Sequence, residues 1–330
     1  MARVFVTRPI PGRAFKKLEE AHEVEVYPGP GKIPREKLLE EVKGVEAILS
    51  ILTEKIDGEV MDAAGKQLKI VSNYAVGFDN VDLEAAKERN VMVANTPSSL
   101  GDAVAEFTVT LAMALSRNIL PADHFVREGK YKVWDPSIFL GLDLTGKTLG
   151  VVGAGTIGSV VGKRMQAVFE MRVIYHSRSR NEAFERATNG RKVSLTELLQ
   201  LADVVTLHVP LSAETRHMIS WDEFSLMKKT AILINTSRGP VVREKALVEA
   251  VKNKKIWGAA LDVFEQEVEK ERKHLDPRDW RMLNRFDNVI LTPHIASATV
   301  EAREEMTQMA VENIILALSG KTPRYLVKTS

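Results

Sequence analysis

The sequence predicts an α/β protein of two doubly wound parallel-sheet domains separated by a cleft, and three observations predict it. Apolar, β-branched runs alternate with helical segments in two separate series, the pattern of βαβ units. The chain has 330 residues, a length that suits two domains. A glycine-rich turn, Gly153-Ala154-Gly155-Thr156-Ile157-Gly158, separates a strand-like run from a helical one in the second series.

The elements follow in order. Val4-Phe5-Val6 is a short strand closed by Pro9 and Pro11, and Arg13 to Glu20 is a polar helix. Val24 to Tyr27 alternates with charge as a second strand, ended by the breaker cluster Pro28-Gly29-Pro30-Gly31. Pro34 suits the first turn of a helix running to about Lys43. Ala47 to Leu52, Lys69 to Ser72 and Val91 to Ala94 read as buried strands, with a helix near Leu83 to Arg89. A long apolar helix spans about Asp102 to Asn118. The second series begins at Thr148 to Gly153. It continues through Arg172 to Tyr175, Val204 to Val209, Ala231 to Asn235, Gly258 to Val263 and Val289 to Thr292.

A final helix runs from about Val300 to Leu318, with Met306, Met309, Ala310, Ile314 and Ala317 on one apolar face and Gly320 and Pro323 as its stop. The strand series has ended by Thr292, so this helix is expected to rejoin the first domain. The predicted division is a discontinuous substrate-binding domain, 1–98 with 297–330, and a dinucleotide-binding domain, 99–296, with boundaries inside the two long helices.

Composition excludes several function classes. The 46 basic and 44 acidic residues leave a net charge of +2, so there is no overall basic footprint for nucleic acid. With no Cys there is no disulfide framework, thiolate metal site or cysteine nucleophile, and no metal site is expected. The apolar stretch near the N-terminus is too short for a signal peptide, and no run reaches the roughly 18 apolar residues of a membrane span. A soluble cytoplasmic protein without nucleic-acid or membrane partners is the expectation.

The glycine turn has the context of a dinucleotide motif in a Rossmann-type domain: a strand before it, a helix after it and a second strand at Arg172 to Tyr175. Gly153 permits the tight turn, Gly155 lets backbone approach a pyrophosphate at the helix N-terminus, and Gly158 permits close helix–strand packing. Ala154, Thr156 and Ile157 complete the cofactor-contacting turn. NAD-binding versions place an acid about 20 residues further on, for the ribose 2′-hydroxyl. Here that place holds Ser177-Arg178-Ser179-Arg180, with no carboxylate until Glu182. A guanidinium and hydroxyls suit a 2′-phosphate, so NADP(H) is the expected cofactor, with NAD(H) still able to bind through its sugar.

Three polar residues follow strands of the second series: Arg238 in Thr236-Ser237-Arg238-Gly239, Glu267 in the run after Asp262-Val263-Phe264, and His294 in Thr292-Pro293-His294. Carboxyl ends of parallel strands line the ligand crevice of an open α/β sheet. Arg238, Glu267 and His294 can therefore converge where the nicotinamide of a bound dinucleotide would sit. Asp262 suits either the nicotinamide carboxamide or a turn cap. His208 suits either the phosphates or the core.

These strings resemble the D-isomer-specific 2-hydroxyacid dehydrogenase family over almost the whole chain, Val4 to Leu326. The resemblance rests on Gly153 to Gly158, His208-Val209-Pro210-Leu211, Asn235-Thr236-Ser237-Arg238-Gly239, Leu261-Asp262-Val263-Phe264 and Thr292-Pro293-His294, and on Asn73-Tyr74-Ala75-Val76-Gly77-Phe78-Asp79-Asn80. It implies a catalytic Arg238, Glu267 and His294: hydride transfer to a 2-oxo acid leaves an alkoxide to which His294 would donate a proton, Glu267 would hold the imidazolium, and Arg238 would bind the substrate carboxylate and polarise the carbonyl. It implies cofactor contacts from Val209, Pro210, Thr215, Thr236 and Ser237 as well. Substrate contacts would come from Leu52, Arg238, His294 and the backbone of Val76 and Gly77. Within the family the strings Tyr74 to Gly77, Trp134-Asp135-Pro136 and Phe139-Leu140-Gly141 resemble those of glyoxylate/hydroxypyruvate reductases.

The implied activity is reduction of a small 2-oxo acid to the D-2-hydroxy acid. Phosphoglycerate, D-lactate-type and phosphite-type dehydrogenases are the alternatives, with a nucleotide-sensing corepressor-like protein as one of another class. The resemblance also implies a homodimer in which Trp134 reaches a neighbouring subunit. One departure stands out: the family often has Pro after the catalytic Glu, where this chain has Val268, and Glu265 competes with Glu267 for the role.

Overall fold

A computed structural model of the chain describes residues 1–97, 100–265 and 282–328. The chain divides into two compact units, Met1–Leu100 with Ala298–Ser330, and Gly101–Ser297. The first boundary falls at the start of a long helix. The second falls just before the Thr299 cap of the last helix rather than inside it.

In the first unit the apolar runs form β1 (Arg3–Val6), β2 (Glu23–Val26), β3 (Ala47–Ser50), β4 (Ile70–Asn73) and β5 (Met92–Ala94). Their order is β2-β1-β3-β4-β5 and every pairing is parallel, the flavodoxin-like arrangement. β3 and β4 are buried at every position, which is why they read as unbroken apolar runs rather than alternating ones. Helices α1 (Phe15–Ala21), α2 (Arg35–Glu41), α3 (Gly58–Ala64) and α4 (Leu83–Glu88) connect them. Asp57 and Asp82 start the last two by accepting the N–H groups of Val60 and Ala85. Phe5, Ile48, Met61, Val71 and Ala86 belong to one core cluster with α2, α3 and α4.

The last helix does return to this unit. Its five apolar-face residues, Met306, Met309, Ala310, Ile314 and Ala317, are all buried. Ser72 Oγ donates to the Ala310 carbonyl at 3.1 Å, and Asn313 Nδ2 donates to the Asn95 carbonyl at 3.1 Å.

In the second unit the strands are β6 (Thr148–Val152), β7 (Arg172–His176), β8 (Arg191–Lys192), β9 (Val204–Leu207), β10 (Ile232–Asn235), β11 (Gly258–Leu261) and β12 (Val289–Leu291). The order β12-β11-β10-β9-β6-β7-β8 is the Rossmann order with one further strand, all parallel. The order reverses beside β6, so the switch point lies at the carboxyl ends of β6 and β9. α5 (Leu100–Ser116), α6 (Ile119–Arg127), α7 (Thr156–Phe169), α8 (Glu182–Thr188), α9 (Leu195–Leu201), α10 (Trp221–Leu226) and α11 (Glu244–Lys252) complete the unit, and α12 (Val300–Leu318) is the returning helix. One core cluster packs α9, α10 and α11 on the sheet and another packs α5, α7 and α8.

Two details differ from the sequence reading. The long apolar helix ends at Ser116, because Asn118 turns left-handed at φ 52°, and α6 leaves at 62° to α5. The strand β8 was not legible, since it is two exposed charged residues with no apolar signal. Among the described residues no single helix is long and apolar enough to cross a membrane.

Candidate active site

The glycine turn sits at the switch point of the second sheet. Gly153 has φ 99°, and a Cβ there would lie 2.6 Å from the His208 carbonyl oxygen. At Gly158 a Cβ would lie 2.2 Å from the Gly153 oxygen, so α7 can start this close to β6 only with glycine. Gly155 is different: among the described residues a Cβ there would meet nothing within 4 Å. No described residue demands its glycine, and the space beside it fits a ligand. Gly155 caps α7 without any side-chain hydrogen bond, leaving the first-turn N–H groups for an anion. Asn181 holds the turn from the side, its Nδ2 donating to the Ala154 carbonyl at 2.7 Å while its Oδ1 caps α8. The turn therefore fits a dinucleotide pyrophosphate.

His208, at the end of β9, backs the turn. Its Nε2 is sealed from solvent with no hydrogen-bond partner among the described residues, and burial pushes its pKa down to about 3, so the ring is neutral. The following segment is folded on itself: Thr215 Oγ1 donates to the Pro210 carbonyl at 2.7 Å, and Val209 Cγ1 would meet a Cβ on Gly153 at 3.0 Å.

Past β7, Ser177 turns its hydroxyl onto the Ser179 carbonyl, so it shapes the turn. Arg180 is paired with Glu185 through Nε and Nη2, at 2.9 and 2.7 Å. Arg178 is exposed, and among the described residues no carboxylate lies within ion-pair distance of it.

The catalytic side occupies the ends of β10, β11 and β12. Asn235, fully buried, ends β10 and buckles the turn behind it. Its Oδ1 accepts from Ser237 N at 3.0 Å and Ser237 Oγ at 2.9 Å, and its Nδ2 donates to the Arg238 carbonyl at 3.0 Å. Arg238 Nη1 donates to the Ser237 carbonyl at 2.8 Å. A Cβ at Gly239 would lie 1.7 Å from the Phe264 oxygen, so the turn is pressed onto the segment after β11. Thr108 donates to the Val104 carbonyl, so Thr236 is the donor in its 2.9 Å bond to Thr108. Ser177, Thr215, Thr236 and Ser237 thus all donate within the protein and fix loops; a ligand meets their oxygens or their backbone.

Asp262, also fully buried, organises the histidine loop. Its carboxylate accepts from Thr292 Oγ1 at 2.6 Å, Ile295 N at 2.9 Å and Ala296 N at 2.8 Å, and its carbonyl accepts from His294 N at 2.9 Å. This holds His294 in the left-handed region at φ 56°, which residues with a Cβ adopt uncommonly, though His more often than most. Of the two readings of Asp262, the geometry favours the loop anchor.

Glu265 is no competitor for the catalytic carboxylate. It pairs with His217 Nε2, accepts from Glu244 N at 3.1 Å, and donates its own N–H to the Glu244 carboxylate at 2.7 Å. Glu267 lies outside the described residues.

The first unit carries its own candidate turn after β4. Asn73 Nδ2 donates to the Gly77 carbonyl at 2.9 Å, Asn95 Nδ2 donates to the Val76 carbonyl at 2.7 Å, and Asn80 Nδ2 ties Ile51 and Glu54 carbonyls at 3.1 and 2.9 Å. Both carbonyls are turned inward, and among the described residues neither Val76 N nor Gly77 N meets an acceptor. Leu52 is exposed beside Thr53, whose hydroxyl donates at 2.7 Å to the buried Glu54 carboxylate. Sequence reasoning missed the roles of Asn73, Asn80, Asn95, Asn181 and Asn235. The available signal was an Asn at the last residue of two apolar strand runs.

Known proteins match this geometry. Residues 109–296 match the family model for the D-isomer specific 2-hydroxyacid dehydrogenase, NAD binding domain. The chain is 46% identical to the glyoxylate reductase of Thermococcus kodakarensis over 98% of its own length and 96% of that protein. Among solved structures, the TT0316 protein of Thermus thermophilus superposes with a TM-score of 0.90 at 42% identity, covering 99% of this chain and 100% of that one. A glyoxylate reductase from Paecilomyes thermophila gives 0.85 at 30% identity, covering 99% and 98%.

Proposed function

The chain belongs to the D-isomer-specific 2-hydroxyacid dehydrogenase family, a nicotinamide-dependent one, and on that premise we propose that it reduces glyoxylate to glycolate, or the related hydroxypyruvate to the D-2-hydroxy acid, with NADP(H) as preferred cofactor. The observation that carries the reading is the pair Arg238 and His294, each locked by a buried polar side chain at a strand end of the unit with the dinucleotide turn. The choice of glyoxylate draws on the full-length likeness to glyoxylate reductases.

The roles follow from the side chains. Backbone N–H groups of the turn from Gly155 to Gly158 bind the pyrophosphate, and Val209, Pro210 and Thr215 border the adenosine. Thr236 and Ser237 frame the nicotinamide end, and Asp262 acts there through the His294 loop that it anchors. The bound cofactor supplies a hydride. Arg238 offers its guanidinium to the substrate carboxylate and carbonyl oxygen. His294 holds the proton for the new alkoxide and takes it back in the oxidation direction, with Glu267 as its partner. The Val76 and Gly77 N–H groups, which meet no acceptor among the described residues, suit a carboxylate, and Leu52 the substrate's distal side.

A second copy of the chain is the proposed partner. Val133, Trp134 and Leu140 are 74%, 73% and 67% exposed in the segment after α6, an apolar surface of the kind that associates.

Purified protein mixed with NADPH or NADH and a panel of 2-oxo acids tests the reading. Fastest loss of reduced-nicotinamide absorbance with glyoxylate or hydroxypyruvate is expected; no turnover of any 2-oxo acid overturns it.

A further inference from the structure

Five basic side chains lie between Arg178 and Lys192. Three are neutralised: Arg180 by Glu185 at 2.7 Å, Arg186 by Glu182 at 3.5 Å and Arg191 by Glu197 at 2.8 Å. The other two, Arg178 and Lys192, have no ion-pair partner among the described residues, and they are the two that touch. Lys192 lies on β8 opposite Tyr175 in the parallel register, and its Nζ donates to the Arg178 carbonyl at 3.1 Å. The ammonium therefore stands at the Ser177-Arg178-Ser179 turn itself, with two of its three N–H donors still to place.

Lys192 and Arg178 bring two positive charges to one turn, and a dianion at that turn would be attracted to both. The carboxylate whose charge acts on Arg178 is Glu214, on the far side of the glycine turn. Its own hydrogen bond from Ser212 Oγ, at 2.7 Å, is the main cause of its lowered pKa, with Arg178 a lesser one. Ser177, one of the two serines at this turn, donates its hydroxyl to the Ser179 carbonyl.

We propose that Lys192 is a second ligand of the adenosine 2′-phosphate, so that preference for NADP(H) over NAD(H) is set by the Arg178–Lys192 pair. The proposal rests on the NADP(H) reading above and extends it to an edge strand that carries no nucleotide motif. The fork of Arg178 suits two phosphate oxygens, and Lys192 adds a compact point charge.

The test is binding, read by calorimetry, of NADPH, NADH, 2′-AMP and 5′-AMP to the wild type and to Lys192→Gln, Lys192→Arg and Arg178→Gln. Lys192→Gln is expected to weaken NADPH and 2′-AMP about tenfold, the scale of one charged hydrogen bond, and NADH and 5′-AMP less than twofold. Lys192→Arg should keep most of the NADPH affinity. If Lys192→Gln leaves NADPH binding unchanged while Arg178→Gln weakens it, the proposal falls and the NADP(H) reading stands. If the wild type binds NADPH no tighter than NADH and Arg178→Gln changes nothing, the NADP(H) reading falls and takes the proposal with it.

Discussion

Asn73 and Asn235 use the same device in different units and present different things with it. Each is a fully buried amide at the last residue of a parallel strand, and each ties down a carbonyl a few residues on, Gly77 for Asn73 and Arg238 for Asn235. In the first unit the buckled turn presents backbone: the Val76 and Gly77 carbonyls face inward and their N–H groups meet no acceptor among the described residues. In the second it presents a side chain, the guanidinium of Arg238. Backbone donors survive replacement of the residue that carries them, whereas a guanidinium does not. The same buried amide therefore supports one turn that is tolerant of sequence and one that is not.

The largest expected effect sharpens that contrast. Arg238→Ala should lower kcat/KM for glyoxylate by about a thousandfold, the upper scale for loss of one electrostatic donor. In Val76→Ala, at the other extreme, the N–H remains and KM should move less than twofold in steady-state assays. A larger shift there would break the comparison, because it would make the side chain and not the backbone the contact.

Between them lies a contrast of satisfied and unsatisfied burial. His208 Nε2 has no partner among the described residues, and its pKa is near 3 against an ordinary 6.5. The unfolded state binds the proton over that window and the native state does not, so stability falls as pH drops below 6.5. The expected slope is about 1.4 kcal/mol per pH unit down to about pH 3. Denaturant melts of His208→Gln should lack this component.

The smallest effects but one come from the amides themselves. Asn235→Ala and Asn73→Ala should each cost about 2 kcal/mol in chemical denaturation, the scale of orphaned buried polar groups. Their kinetics should separate, with Asn235→Ala lowering kcat about tenfold and Asn73→Ala chiefly raising KM. Equal losses in kcat would show that the two turns do the same work.

Much of this was legible in the chain. Strands such as β3, β4, β9 and β10 are buried at every position and so stand out as apolar runs. The glycine turn was legible because two of its glycines answer steric demands of the fold, at Gly153 and Gly158. What was not legible was polar. The two-residue strand β8 has no hydrophobic period, and the bend after Ser116 rests on one left-handed Asn118. The pairing of Glu265 with His217 joins residues far apart in sequence, so no local pattern announces it.

By itself the sequence determined the two parallel αβ series, the dinucleotide turn, and Arg238 and His294 as residues following strands, because burial and glycine sterics act locally and leave a periodic trace. Only the tertiary structure decided which polar groups are already taken. Asp262 serves the His294 loop, Arg180 serves Glu185, and Arg178 is left with Lys192 beside it. Hydrogen-bond partners come from whichever strands and loops the fold brings within about 3 Å, and sequence distance does not encode that.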